Sequence, residues 1–243
     1  MTIHISSHPC LQTKLSQLRS HTTTTRETRE LVTEISTILG VEALASLSAV
    51  PGKKVSLLDL ISMKMLIEQD KTPLGIEYET REIPTNLAIV PILRSGLGMT
   101  DALTSLLPTP VPIYHLGLFR ERSTLQPVEY YNNLPYHRHT STTTPTPTAT
   151  NIAAAETAIL LDPVIATGAT AEAAIHLLRE WGVKQVIMIS VLASEEGVKR
   201  VQESWDGGVE VWVAGVDVKC DERGMIVPGL GDIGDRLFVA VGK

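Results

Sequence analysis

The segment AILLDPVIATGATAEAAIHLL ends an apolar run on Asp162 and opens a helical pattern at Ala166-Thr167-Gly168-Ala169-Thr170. Consecutive backbone N–H groups at such a turn, with the helix dipole behind them, form a cradle for an anion. Gly168 admits close approach of a phosphate, and the Thr167 and Thr170 hydroxyls can donate to its oxygens or cap the helix. Asp162 offers two acceptor oxygens and no donor, which suits a vicinal sugar diol. An ordinary capped turn would carry the same glycine. The segment lacks the lysine of G-x-x-x-x-G-K-[ST] and does not match G-x-G-x-x-G, so a nucleoside-triphosphatase loop and a dinucleotide fold both fit poorly.

Three further stretches carry chemistry. IVPILRSGLGM sets Arg94 beside Gly96 and Gly98, a fixed cationic fork next to backbone that could approach a diphosphate, or else a plain turn with a solvated arginine. FRERSTLQPVEYY, with Arg120, Glu121 and Arg122 at its start, reads as an exposed loop or hairpin. IVPGLGDIGDRLF gathers three glycines and two aspartates between Pro228 and Arg236, where exposed main-chain groups suit the edge of a base. The seven histidines are scattered, and His137-Arg138-His139 lies in a polar stretch that reads as solvent-exposed rather than as a metal site. Trp181 and Trp212 read as core, and Asp101, Glu129 and Glu156 have no visible partner.

These turns need a frame. Apolar runs at 87–93, 111–119, 158–161, 186–193 and 209–218 alternate with helical patterns at LGMTDALTSLL and TAEAAIHLLREWG. That alternation predicts an α/β fold, a mostly parallel sheet flanked by helices, with ligands beyond the carboxyl ends of the strands. The N-terminal region is expected to be helical, with one helix over TRETRELVTEISTILG stopped by Gly40. A second is expected over SLLDLISMKMLIEQD, capped by Ser56 with Leu57, Leu60, Ile61 and Met65 inward. From Thr140 to Thr150, seven of eleven residues are threonine, too little apolar surface to offset ordering. We expect a single domain over 1–243 with a disordered Thr/Pro-rich insertion at about 137–155, a domain boundary there being the competing reading.

The chain has 243 residues and a formal net charge of −6, which argues against nucleic-acid or anionic-membrane partners. No apolar run reaches the roughly 20 residues of a membrane span, and MTIHISSHPC does not read as a signal peptide. Two distant cysteines, Cys10 and Cys220, suggest neither a disulfide framework nor a zinc site, so a cytoplasmic location is expected.

The acid, apolar pair and A-T-G at a strand end resemble the 5-phosphoribosyl-1-pyrophosphate (PRPP) signature of type I phosphoribosyltransferases. Pro163 after the acid is similar to the uracil phosphoribosyltransferase branch, as are VPILRSGLGMTDAL, FRERSTLQPVEYYNNLP, IVPGLGDIGDRLF and the N-terminal HPCLQTKLSQLR. The resemblance covers roughly 8–135 and 156–242 and implies transfer of phosphoribosyl from PRPP to uracil, giving UMP and pyrophosphate in pyrimidine salvage. It implies PRPP contacts from Arg94, Arg120, Asp232 and the run Asp162, Pro163, Val164, Ile165, Ala166, Thr167, Gly168, Ala169 and Thr170. Uracil would meet Ile226, Gly231, Asp232 and Ile233, with Asp232 and Arg120 as the catalytic pair.

The resemblance further implies a flexible hood hairpin, Mg²⁺ held mainly by PRPP, a homodimer or homotetramer, and a possible GTP effector. A non-catalytic nucleotide or PRPP sensor of the same fold, or a transferase for another base, are the alternatives. Three features depart from the pattern: Met225 stands where tyrosine is usual, ATGAT replaces ATGGS, and the Thr/Pro stretch is long. That stretch is expected to take no catalytic part.

Overall fold

The computed structural model describes residues 2–47, 50–51, 53–54, 66–67, 69–83, 86–121, 126–135 and 155–239. By its internal contacts the chain forms two compact units, one of residues 1–43 with 86–243 and one of residues 44–85.

In the larger unit, strand β1 (Thr2–Ile5) leads into helices α1 (Pro9–Arg19) and α2 (Thr25–Leu44). Helix α2 starts where Glu27 accepts from the Thr24 N–H and hydroxyl, both at 2.7 Å. Its buried face is Leu31, Val32, Ile35, Ser36, Leu39, Gly40 and Ala43. The expected stop at Gly40 is wrong: the helix runs on to Leu44. Gly40 is an interior packing position, since a Cβ there would sit 2.7 Å from Leu106 Cδ1 and 2.9 Å from Leu103 Cδ1. Close packing against another helix, rather than a turn, accounts for that glycine.

The smaller unit, among the described residues, consists of short antiparallel pairs: β2 (Val50–Pro51), β3 (Lys53–Lys54), β4 (Leu66–Ile67), β5 (Gln69–Lys71), β6 (Glu77–Glu79) and β7 (Arg81–Glu82). The helix expected over 56–70 is therefore corrected at its end, where β4 and β5 are extended. Residues 56–65 lie outside the described residues. Local turn chemistry decides the end of this segment: Thr72-Pro73-Leu74-Gly75 folds β5 back on β6, with Gly75 at φ 78° and its N–H donating to the Thr72 carbonyl at 2.8 Å.

The central sheet follows in the larger unit. Its elements are β8 (Leu87–Leu93), α3 (Leu97–Leu106), β9 (Leu116–Arg120), β10 (Pro127–Asn132), β11 (Thr157–Leu161), β12 (Val164–Ile165), α4 (Ala169–Trp181), β13 (Gln185–Ser194), α5 (Glu195–Ser204) and β14 (Val209–Asp217). A small hairpin, β15 (Lys219–Cys220) and β16 (Ile226–Val227), precedes helix α6 (Ile233–Phe238). The sheet order is β1-β14-β13-β11-β8-β9-β10, with β12 beside β13. Every pairing is parallel except β9 with β10. The central strands β8, β11 and β13 are buried along nearly their whole length, as continuous Val/Ile/Leu runs covered on both faces require. No helix among the described residues is long and apolar enough to cross a membrane.

Trp181 is core, its Nε1 donating to the Pro135 carbonyl at 2.9 Å. Trp212 is only half-buried and stacks on His4 with ring centroids 3.8 Å apart. The hood segment forms the β9–β10 hairpin, closed by the Glu121 N–H donating to the Gln126 carbonyl. Arg122, His137, Arg138, His139 and the Thr140–Thr150 stretch lie outside the described residues.

Candidate active site

The carboxyl ends of β8, β11 and β13 open onto a cavity of about 480 Å³. Its lining includes Arg94 and Ser95 from the turn after β8, Arg120 from the hood hairpin, and Asp162 with Thr167, Gly168 and Thr170 after β11. The C-terminal loop supplies Met225, Ile226 and the run Gly231 to Gly234. Four stretches far apart in sequence thus meet at one opening. Of the expected residues, Pro163 and Ala169 do not line it. Pro163 is buried and its carbonyl accepts from Val191 and Leu192 of β13, both at 3.0 Å. Ala169, 2% exposed, is the first residue of α4.

The turn after β11 is shaped by Gly168, the N-cap of α4, at φ 77°. The first-turn N–H groups of α4 have no acceptor within the helix, which leaves them for a bound anion. Behind the loop stands a buttress that sequence reasoning missed. Ser194, fully buried, caps α5 by accepting from the Gly197 N–H at 2.9 Å and donates its hydroxyl to the Ala166 carbonyl at 2.6 Å. Gly197 is required there because a Cβ would run into the Ala166 carbonyl. Arg200 of α5 bonds Glu172 in the first turn of α4 at 2.6 Å. The S-E-E-G pattern after a buried strand is an N-cap signal, but nothing in it points to the Ala166 carbonyl.

Asp162 is 7% exposed. Burial pushes its carboxyl up to about 7, against the opposing pull of the Ser95 hydroxyl, the Val164 N–H and the charge of Arg120. Ser95 donates to Asp162 Oδ1 at 3.1 Å, joining the β8 turn to the β11 turn. The glycines of the β8 turn are required by the protein's own packing. A Cβ on Gly96 would fall 2.7 Å from the Ile92 amide nitrogen and onto the Leu161 carbonyl, and one on Gly98 would meet Leu237 at 3.1 Å. Gly96→Ala forces backbone to move, so we expect a loss of about 1–3 kcal/mol, read as a lower denaturant midpoint with unchanged slope.

Arg94 is half-exposed, with Nη2 4.0 Å from Asp235 Oδ1. Arg120 donates from Nη1 to the Gly224 carbonyl at 3.1 Å, which brings the hood hairpin to the residue before Met225. Asp232 is exposed and caps α6, its Oδ1 accepting from the Asp235 N–H at 3.1 Å. Gly229 and Gly231 hold φ 65° and 76°, and the loop between them is pinned from outside the cavity. Arg236 donates to the carbonyls of Leu18 and Leu230 at 2.6 and 2.7 Å. Arg29 of α2 reaches the Leu237 carbonyl at 2.7 Å. Among the described residues no group of three or more His, Cys, Asp or Glu could hold a metal by itself.

A family model for uracil phosphoribosyltransferase matches residues 5–240. The chain is 39% identical over 238 residues to a putative uracil phosphoribosyltransferase of Schizosaccharomyces pombe, covering 98% of this chain and 90% of that one. It is equally 39% identical over 236 residues to the uracil phosphoribosyltransferase of Roseiflexus castenholzii, with 97% of each chain covered. Among solved structures, the AQ2163 protein of Aquifex aeolicus superposes with a TM-score of 0.76 at 28% identity, over 98% of this chain and 99% of the other. A mostly parallel sheet with an anion-ready turn, a cationic turn and a glycine-rich loop at one cavity, matched along almost its full length, places this chain in the uracil phosphoribosyltransferase family.

Proposed function

We propose that this protein transfers 5-phosphoribosyl from PRPP to uracil, giving UMP and pyrophosphate. The observation that carries the reading is the convergence, in one cavity, of the α4 N-terminal turn, two arginines and the 224–234 loop. The 5′-phosphate sits on the N–H groups and hydroxyls of Thr167–Thr170, and Asp162 accepts from the ribose diol. Pyrophosphate lies over the Arg94–Gly96 turn, with Arg94 and Arg120 facing it. Uracil presents its carbonyls and N–H to main chain at Ile226 and Gly231–Ile233.

The uracil N1 lone pair forms the new bond to C1 of the ribose as the C1–O bond to pyrophosphate breaks, its electron pair leaving with the phosphate oxygen. The N1 proton departs in the same reaction. Uracil N1–H is acidic enough that Asp232 need only orient or receive it. The arginines stabilise charge that develops on the leaving group, a differential interaction that lowers the barrier. The β9–β10 hairpin limits water around the sugar cation.

Asp162 and Asp232 are the cavity carboxylates that would face Mg²⁺, whose remaining ligands would be PRPP oxygens. Bound there, it would neutralise the diphosphate. The family resemblance also supports a cytoplasmic location, a homodimer or homotetramer, and a GTP effector. Light scattering of the purified chain and turnover with added GTP test the last two.

Chromatography of a reaction with PRPP, Mg²⁺ and uracil tests the enzyme against the sensor reading. UMP formation is expected; PRPP binding without turnover would favour the sensor. Acidity gives a second check. The Asp162 carboxyl, raised to about 7, is increasingly protonated below that value and then loses acceptor capacity. kcat/KM for PRPP should fall about tenfold per pH unit below 7. Asp162→Asn should lack this limb, keeping only what the substrate phosphates contribute; superimposable profiles would contradict the assignment. Because the folded pKa is raised, the same carboxyl lowers folding stability as pH climbs from the ordinary carboxylate range through 7.

A further inference from the structure

The N-terminal segment HPCLQTKLSQLR forms α1, which contributes no residue to the cavity, yet its last residue reaches the loop that carries the base contacts. Arg19 makes a forked pair with Asp217 at the end of β14, Nη1 to Oδ2 and Nη2 to Oδ1, both 2.7 Å. The two side chains hold both polar groups of one residue: Arg19 Nη1 donates to the Gly229 carbonyl at 2.8 Å, and the Gly229 N–H donates to Asp217 Oδ2 at 2.9 Å. Asp217 is 8% exposed, so this network is largely withdrawn from water.

No residue with a side chain fits at position 229. Its φ is 65°, and a Cβ would collide with the Ile226 carbonyl. It stands between Ile226 and Gly231, so its orientation sets the separation of the two halves of the base edge. Helix α1 is itself fixed to the sheet, since Gln12 Nε2 donates to the carbonyls of Ser6 at 2.7 Å and Ala214 at 2.8 Å.

We propose that Arg19 and Asp217 are positioning residues for the base, holding the Gly229 peptide so that the main chain from Ile226 to Ile233 matches uracil. The inference rests on the uracil transferase reading. The pair acts through Gly229, so its loss is felt in base binding and hardly at the α4 turn that holds the phosphate. Asp217 keeps its charge without difficulty, because the Arg19 hydrogen bonds hold its carboxyl below the usual carboxylate range.

The test measures kcat and both KM values, with the ligand-free unfolding midpoint, for the full chain and for Arg19→Lys, Arg19→Met and the double variant Arg19→Met/Asp217→Leu. Lysine keeps the charge but loses the fork, so KM for uracil should rise about tenfold, with KM for PRPP and kcat within about twofold. Methionine should raise KM for uracil further. The double variant removes both charges together, which a partly buried site tolerates better than a lone charge. It should fold and still show the raised KM for uracil. Equal rises in both KM values, an unchanged KM for uracil in a folded variant, or unfolding of all three variants would overturn the proposal. Absence of UMP formation by the unaltered chain would instead defeat the transferase reading, and this inference with it.

Discussion

Asp232→Asn is expected to lower kcat by about two orders of magnitude while leaving the fold in place. Asp232 has two duties that the substitution separates. Its Oδ1 caps α6 by accepting from the Asp235 N–H, and asparagine serves as well as aspartate at an N-cap. Its charge, exposed to the cavity beside Gly231 and Ile233, faces the reacting base and the diphosphate in our reading. The unfolding midpoint should therefore stay within about 0.5 kcal/mol of the unaltered chain. Steady-state turnover and a denaturant melt of the same preparation check both halves. A fully active variant would remove Asp232 from the chemistry, and an inactive but destabilised one would reduce it to a cap.

Gly168→Val should cost at least about a hundredfold in kcat/KM for PRPP. A β-branched residue at φ 77° is strained, and its Cβ would stand 2.6 Å from the Gly197 carbonyl oxygen and 3.0 Å from Arg200 Cβ. Neither the α5 N-terminus nor the loop can yield without moving the α4 first-turn N–H groups that we assign to the phosphate. A loss of about 1–3 kcal/mol in stability should accompany the kinetic defect. Thr170→Ser, which keeps the hydroxyl and the helix, is the contrasting substitution and should retain most activity. Titration of PRPP binding by calorimetry checks the assignment directly. Unaltered affinity in Gly168→Val would contradict it.

The parts of this fold that could be read in advance are those whose signal is local. The runs 87–93, 158–161 and 186–193 are continuous and apolar because the parallel strands they form are covered on both faces. The A-T-G turn could be read as a strand-to-helix junction from the apolar run that ends on Asp162 and the glycine that opens the helical pattern, both local signals. Gly40 misled because a glycine that stops a helix and one that lets Leu103 and Leu106 approach look alike in one dimension. The extended end of 56–70 was hidden by an apolar spacing that suits a helix, whereas the Pro73-Leu74-Gly75 turn downstream folds it into a hairpin.

The site divides the same way. Arg94, Arg120, Asp162, Thr167, Gly168, Thr170, Ile226, Gly231, Asp232 and Ile233 all meet at the cavity. The supports behind them were not legible, since Arg19 and Asp217 are separated by 198 residues and nothing in either local pattern announces the other. Ser194 and Gly197 hold the turn after β11 through the Ala166 carbonyl, a contact made by tertiary packing alone. Gly96 has a packing role that local sequence does not announce, because the space its missing side chain frees is occupied by the Ile92 and Leu161 backbone.

In our reading one cavity joins a phosphoribosyl group to uracil in particular. Pyrophosphate release, followed with PRPP and Mg²⁺ against uracil, orotate, adenine and hypoxanthine in parallel, tests it most directly. Release with uracil is expected at a rate far above that with any of the other three. Release with adenine, hypoxanthine or orotate but not with uracil would contradict it.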